Sequence, residues 1–262
     1  MHIDVEGPSV RAHVATLDEC NQRGGRMLSI VDLLDARTID LDLGAYLVTV
    51  MRSGASLLVG ARPGGAGKTT VMCALLNFLP DRTVLRPVDS PAVLMSAQQS
   101  GRSGDVCYLA HEVGNGHYYA YIWGAQARAF FALAAQRQLI ATNLHADTLA
   151  ETREQLCEEN GVVESHLSAV TLKVFLGIGR TSGRGPRRWV NQVYESSGAA
   201  DRLVWEAAGN GSFVRRADSA LTTAAQEQTY REFLVGLMRQ DLRGLDQVRV
   251  ALWHLALAVG PV

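Results

Sequence analysis

The residues best suited to chemistry run from Arg62 to Thr70, as Arg62-Pro63-Gly64-Gly65-Ala66-Gly67-Lys68-Thr69-Thr70. A glycine-rich turn lets successive backbone N–H groups converge, and a helix starting at its end adds about half a positive charge. Pro63, Gly64, Gly65, Ala66, Gly67, Lys68, Thr69 and Thr70 would therefore cradle a phosphate. Lys68 supplies a point charge for the β- and γ-phosphates, and the Thr69 hydroxyl is placed to ligate magnesium. Arg62 stands at the first position of the G-x-x-x-x-G-K-[ST] pattern, where glycine is usual. It precedes proline, which favours the extended backbone that a non-glycine residue can adopt there.

Such a cradle needs acids and sensors from neighbouring strands. Asp105-Val106-Cys107-Tyr108-Leu109-Ala110-His111-Glu112 reads as an apolar strand ending in a carboxylate, so Glu112 is the candidate base that polarises water beside the metal. Asp89 ends the preceding strand and is a second candidate for magnesium. His145, in Ala141-Thr142-Asn143-Leu144-His145, follows a further strand. Ligand chemistry in open parallel sheets gathers at such strand ends, so Thr142, Asn143 and His145 are candidates to sense the γ-phosphate.

The elements that must hold these residues are legible in the hydrophobic period. Ser56-Leu57-Leu58-Val59-Gly60 is a continuous apolar run, as in a strand buried on both faces. It leads into the glycine turn and a helix closed by Pro80. Further strands are expected at 83–88, 105–110 and 139–143, with helices over 118–135 and 148–159. That alternation implies a mostly parallel sheet covered on both faces. Beyond Ala169, runs at 170–178, 189–194 and 202–205 predict an antiparallel extension. From about 217 the spacing predicts C-terminal helices. Ile30, Leu33 and Leu34, then Leu43 to Val50, predict two helices ahead of the first strand. Residues 1–27 show no sustained period and end in Arg23-Gly24-Gly25-Arg26, so they are expected as a flexible leader before a domain spanning 28–258.

Composition bounds the function. The chain has 262 residues, 25 Lys+Arg against 26 Asp+Glu, and 47% hydrophobic residues. It is globular, and a net charge of −1 supplies no field for holding duplex DNA, so direct nucleic-acid binding is not indicated. Cys20, Cys73, Cys107 and Cys157 are scattered without C-x-x-C spacing, which argues against structural zinc. The most apolar stretch, Val250 to Val259, is about half the ~20 residues a membrane span needs. A cytoplasmic protein is expected.

In order and spacing, Ser56–Thr70, Val88-Asp89-Ser90-Pro91, Leu109–Glu112 and Thr142–Ala146 resemble the Walker A motif, Asp box, Walker B motif and His box of the type II/type IV secretion and pilus traffic ATPases. Leu28–Tyr46 is similar to the lead-in helices of that family, Arg187–Glu195 to its arginine-bearing strand, and Phe233–Leu252 to its C-terminal helices. The resemblance covers residues 28–255. It implies an α/β RecA-like P-loop ATPase that uses ATP and magnesium, with Glu112 as the Walker B glutamate, His145 as the His-box histidine and Asp89 as an Asp-box acid. It also implies a hexameric homo-oligomer serving a secretion, pilus-assembly or DNA-transfer machine through a platform protein at the cytoplasmic membrane.

The departures from the family pattern are Arg62, Val88 in place of a second acid, Gly114 in place of an arginine, and Arg137-Gln138 in place of Gly-His. The family's N-terminal domain, which covers the nucleotide and supplies arginines, has no counterpart of similar size in residues 1–27. The densest basic cluster, Arg180, Arg184, Arg187 and Arg188, is either a set of arginines acting on a neighbouring subunit's γ-phosphate or a solvated hairpin. A degenerate, non-hydrolysing regulatory subunit is the alternative to a motor.

Overall fold

The computed structural model describes residues 8–21, 24–100, 105–116, 118–181, 184–209 and 211–259. In chain order these form α1 (Pro8–Glu19), α2 (Ile30–Asp35), α3 (Leu41–Arg52), β1 (Leu57–Gly60), α4 (Lys68–Leu76), β2 (Val84–Pro87), α5 (Pro91–Gln99), β3 (Val106–Val113), β4 (Tyr121–Ile122), α6 (Ala125–Ala135) and β5 (Leu139–Leu144). There follow α7 (Leu149–Arg153) with a π-helical turn over Glu154–Glu159, α8 (Glu164–Ser168), β6 (Leu172–Thr181), β7 (Arg184–Ser196), β8 (Asp201–Ala208), β9 (Ser212–Arg215), α9 (Ala224–Arg239) and α10 (Leu245–Val259).

One sheet runs β2-β3-β5-β1-β6-β7-β8-β9, with β4 paired to β3. Strands β2, β3, β5, β1 and β6 are parallel, and β7 to β9 extend them antiparallel. This is the α/β RecA-like architecture expected from the sequence, with β5 lying between the strand that feeds the glycine turn and the strand that carries Glu112. Alternation along β1 explains the layers. Leu57 and Val59 enter a core with residues of α1 to α4, α9 and α10, whereas Leu58 enters a second core with α5, α6 and α8. Both faces are therefore covered, as a parallel sheet requires.

Local chemistry fixes the entries. The Asp40 carboxylate accepts the Leu43 N–H at 2.9 Å to start α3, and Thr223 with Gln226 forms a capping box at α9. Where β1 hands over to the glycine turn, a Cβ on Gly60 would lie 2.5 Å from the Ala146 carbonyl oxygen and 2.7 Å from the Phe175 ring, so only glycine fits. Glu195 of β7 accepts from Tyr46 (3.1 Å), Ser219 (2.6 Å) and the Ala220 N–H (2.7 Å), joining the extension to α3 and to the segment before α9.

The elements differ from expectation in three places. Residues 118–135 are not one helix: Tyr121 and Ile122 pair in parallel with Glu112 and Val113, and Gly124 at φ +57° separates them from α6. The short edge strand β9 and helices α5 and α8 carry too little period to be read. The leader is helical from Pro8 to Glu19, with His13, Leu17 and Cys20 buried. Its inward face is spaced at three to four residues but includes a histidine and a cysteine, so it does not register as an apolar stripe.

Candidate functional site

The glycine turn forms the floor of a pocket of about 610 Å³ lined by residues 64–71, His111, Glu112, Tyr121, His145 and 186–188. Gly67 caps α4 from a left-handed backbone, φ +96°, and Gly65 sits at φ +83°. The Lys68 side chain is buried and turned along the loop, donating to the Ala61 carbonyl at 3.0 Å. Burial holds its ammonium below the usual lysine value, while Glu112 pulls the other way.

Glu112 lies at the heart of the site. Its Oε1 is 3.2 Å from Lys68 Nζ and 2.6 Å from His145 Nε2, and its Oε2 accepts the Tyr121 hydroxyl at 3.0 Å. His145 Nδ1 lies 2.9 Å from the Arg62 carbonyl and 3.2 Å from Lys68 Nζ. The structure thus brings Lys68, Glu112 and His145, singled out from separate segments, within direct contact. β3 continues through Val113, so Glu112 is held by strand pairing on its β4 side rather than standing beyond a strand end. The Tyr121 phenol, pushed up to about 12 by burial and then by Glu112, remains a donor.

Magnesium in such sites is bound by few protein oxygens plus substrate phosphates. Thr69 faces the pocket, and the buried Asn143 amide donates to the His111 carbonyl at 2.8 Å and to Thr69 Oγ1 at 3.4 Å. Among the described residues Asn143 Oδ1 has no hydrogen-bond partner, and no group of three or more His, Cys, Asp or Glu is placed to hold a metal ion. Of the pocket-lining oxygens, those of Thr69 and Glu112 could therefore hold a hydrated hard cation rather than a caged metal. Asp89 is exposed at the end of β2 and is not among the pocket residues; the charge it presents acts on Tyr119.

Of the basic cluster, Arg187 and Arg188 line this chain's own pocket, and Arg188 Nε donates to the Gly65 carbonyl at 2.6 Å. The side chains of Arg180 and Arg184 lie outside the described residues. Arg62, the departure from the motif, is absorbed by the segment after β5: its N–H donates to Asp147 at 2.7 Å and its guanidinium pairs with Glu151 at 3.2 Å.

Sequence reasoning missed two groups. Tyr121 becomes visible only through its register opposite Glu112. Cys20, Asn21, Met27, Leu28, Asp32, Leu33, Ala36 and Thr38, from the joint between α1 and α2 onward, also line the pocket, and nothing in their spacing points to it. There hydrogen bonding with Cys73 lowers the Cys20 thiol, with burial opposing.

No family model matches the chain, and no curated protein matches it. Among solved structures it is similar to the VirB11 ATPase of the Brucella suis type IV secretion system in complex with sulphate, with 19% identity over 59% of this chain and 52% of that one, and a TM-score of 0.44. It is also similar to the Legionella pneumophila ATPase DotB, with 11% identity over 74% of this chain and 56% of that one, and a TM-score of 0.40. The chain thus spans little more than half the length of either. It has an α/β RecA-like fold of its own and resembles, over part of their length, two ATPases, one of them from a type IV secretion system.

Proposed function

We propose that this protein binds and hydrolyses ATP with magnesium, as the motor subunit of a secretion, pilus-assembly or DNA-transfer machine. The observation that carries the reading is the contact of Glu112 with Lys68 at 3.2 Å, because it places an acid from β3 against the lysine of a glycine turn. Lys68 and the turn's N–H groups bind and orient the phosphates. Thr69, with Glu112 through water, would hold magnesium, which offsets phosphate charge when bound. Glu112 accepts a proton from the attacking water, Tyr121 fixes its second oxygen, and His145 meets the γ-phosphate side from the end of β5. A phosphate reaching Lys68 replaces its bond to Glu112 and frees that carboxylate for water.

Assembly into a homo-oligomeric ring, docking on a membrane platform protein and a cytoplasmic location belong to the same reading. Among the described residues no helix is long and apolar enough to cross a membrane. The alternative is a nucleotide-binding regulatory subunit without turnover, favoured by the exposure of Asp89 away from the pocket.

Magnesium-ATP hydrolysis measured across protein concentrations separates the two. A motor gives turnover that rises faster than linearly with protein, is lost with Lys68→Ala through loss of nucleotide binding, and is lost with Glu112→Gln while ATP stays bound. Tight binding without turnover at any concentration selects the regulatory subunit. Turnover unchanged in Glu112→Gln removes that residue from the chemistry.

A further inference from the structure

Two of the cysteines meet in the fold. Cys20 directly follows α1 and Cys73 lies in α4, the helix that begins with Lys68; both are free thiols buried in the larger core. One backbone oxygen gathers them: the Leu17 carbonyl accepts the Cys20 N–H at 3.2 Å and the Cys73 thiol at 3.8 Å. The Cys20 thiol donates to the Thr16 carbonyl at 3.4 Å and also hydrogen-bonds with the Cys73 thiol.

The two sulfurs are not equivalent. Cys20 lines the pocket and hydrogen-bonds with His111, whereas Cys73 is fully buried and is not among the pocket residues. Their mutual hydrogen bond lowers the Cys20 thiol and raises that of Cys73. A reagent entering the pocket therefore meets Cys20 first, with a second thiol already in contact to react with what forms there. Cys20 keeps only 2% of its surface exposed, which favours a reagent little larger than water. The other cysteines lack this arrangement. Cys107 on β3 is fully buried, and burial alone pushes its thiol up to about 12. Cys157, in the π-helical turn, is half-buried and pushed up to about 11 by burial and then by Glu164.

We propose that Cys20 and Cys73 form a peroxide-oxidisable thiol pair whose disulfide ties the end of α1 to the helix of the glycine turn. The Cys20 sulfur attacks one peroxide oxygen, the O–O bond breaks, and the departing hydroxide leaves as water with the thiol proton. The Cys73 sulfur then attacks the sulfenic sulfur, the S–O bond breaks, and a second water carries away the Cys73 proton. Two thiols and one hydrogen peroxide give one disulfide and two waters, with sulfur oxidised and peroxide oxygen reduced. The pair is independent of what the glycine turn binds.

The test is brief treatment of the full chain with hydrogen peroxide, natively and in urea, followed by alkylation of the remaining thiols, trypsin digestion and mass spectrometry. Cys20 and Cys73 fall in separate tryptic fragments, 12–23 and 69–82, so their link joins two distinct peptides. In the folded chain that link is expected at least about tenfold above every other cysteine pairing, with dithiothreitol restoring both thiols and urea abolishing the preference. Oxidation of Cys157 with Cys20 and Cys73 still reduced, a Cys20 sulfinic acid in place of the link, or a link no more frequent in the folded chain than in urea overturns the pair. Cys20→Ala should leave Cys73 reduced, and oxidation of Cys73 in that variant overturns the order of attack. If the variant does not fold, the wild-type map decides the pair alone.

Discussion

Glu112 divides its two oxygens between different partners, Lys68 and His145 on one and the Tyr121 phenol on the other. A hydrogen bond to a carboxylate contributes about 1.5 kcal/mol or more, so Tyr121→Phe should lower kcat about tenfold with KM for ATP within about twofold. Steady-state kinetics decide this; a rise in KM at constant kcat would mean that Tyr121 serves binding instead. Gly60 is a residue whose requirement is steric. A methyl there meets the backbone oxygen of Ala146, which cannot swing away as a side chain could. Gly60→Ala should cost about 1–3 kcal/mol, read as a lower urea midpoint, and a neutral result would mean that the end of β1 yields. Lys68, Thr69, Glu112 and His145 were legible from residue type and strand context. Tyr121 was not, because a tyrosine in a short run gives no sign of what lies across the sheet.

Among the elements, α1 changes most between sequence and structure. Its inward side carries buried His13 and Leu17 and half-buried Val14, with buried Cys20 just beyond its end, and the histidine and cysteine hide the period, yet Leu17 is fully buried in the larger core. Leu17→Ala should cost about 2–5 kcal/mol, the usual range for emptying a packed leucine site. Because the end of α1 also lines the pocket, ATP affinity should fall together with the thermal midpoint; a lower midpoint with unchanged affinity would separate the helix from the site. The parallel strands were legible because strands buried on both faces are continuous apolar runs, as Leu57–Gly60 shows. Strand β4 was not, since two residues set no period and only pairing with β3 defines them.

For the whole molecule, α1 also brings a titrating group into the core. His13 is buried, and its ring is pushed from 6.5 down to about 3, first by burial and then by the charge of Arg249. The folded chain keeps it neutral while the unfolded chain takes a proton below about pH 6.5, so stability falls as pH drops through that window toward 3. Urea unfolding at pH 7 and pH 5 should differ by about 2 kcal/mol from this group alone, and His13→Leu should flatten the difference. An equal pH dependence in the variant would place the acid sensitivity elsewhere.

The sequence by itself determined the covered parallel sheet and the glycine turn between strand and helix, because hydrophobic period and glycine placement are local properties that sequence order exposes. It also named Lys68, Thr69, Glu112 and His145 as candidates. Tertiary structure alone decided which of them meet. It set Glu112 against Lys68 and His145 while leaving Asp89 exposed, aimed Arg188 at this chain's own glycine turn, and folded the α1–α2 joint onto the pocket. Those outcomes depend on strand order and on helix docking between residues far apart in the chain, and such long-range packing leaves no period in the sequence to read.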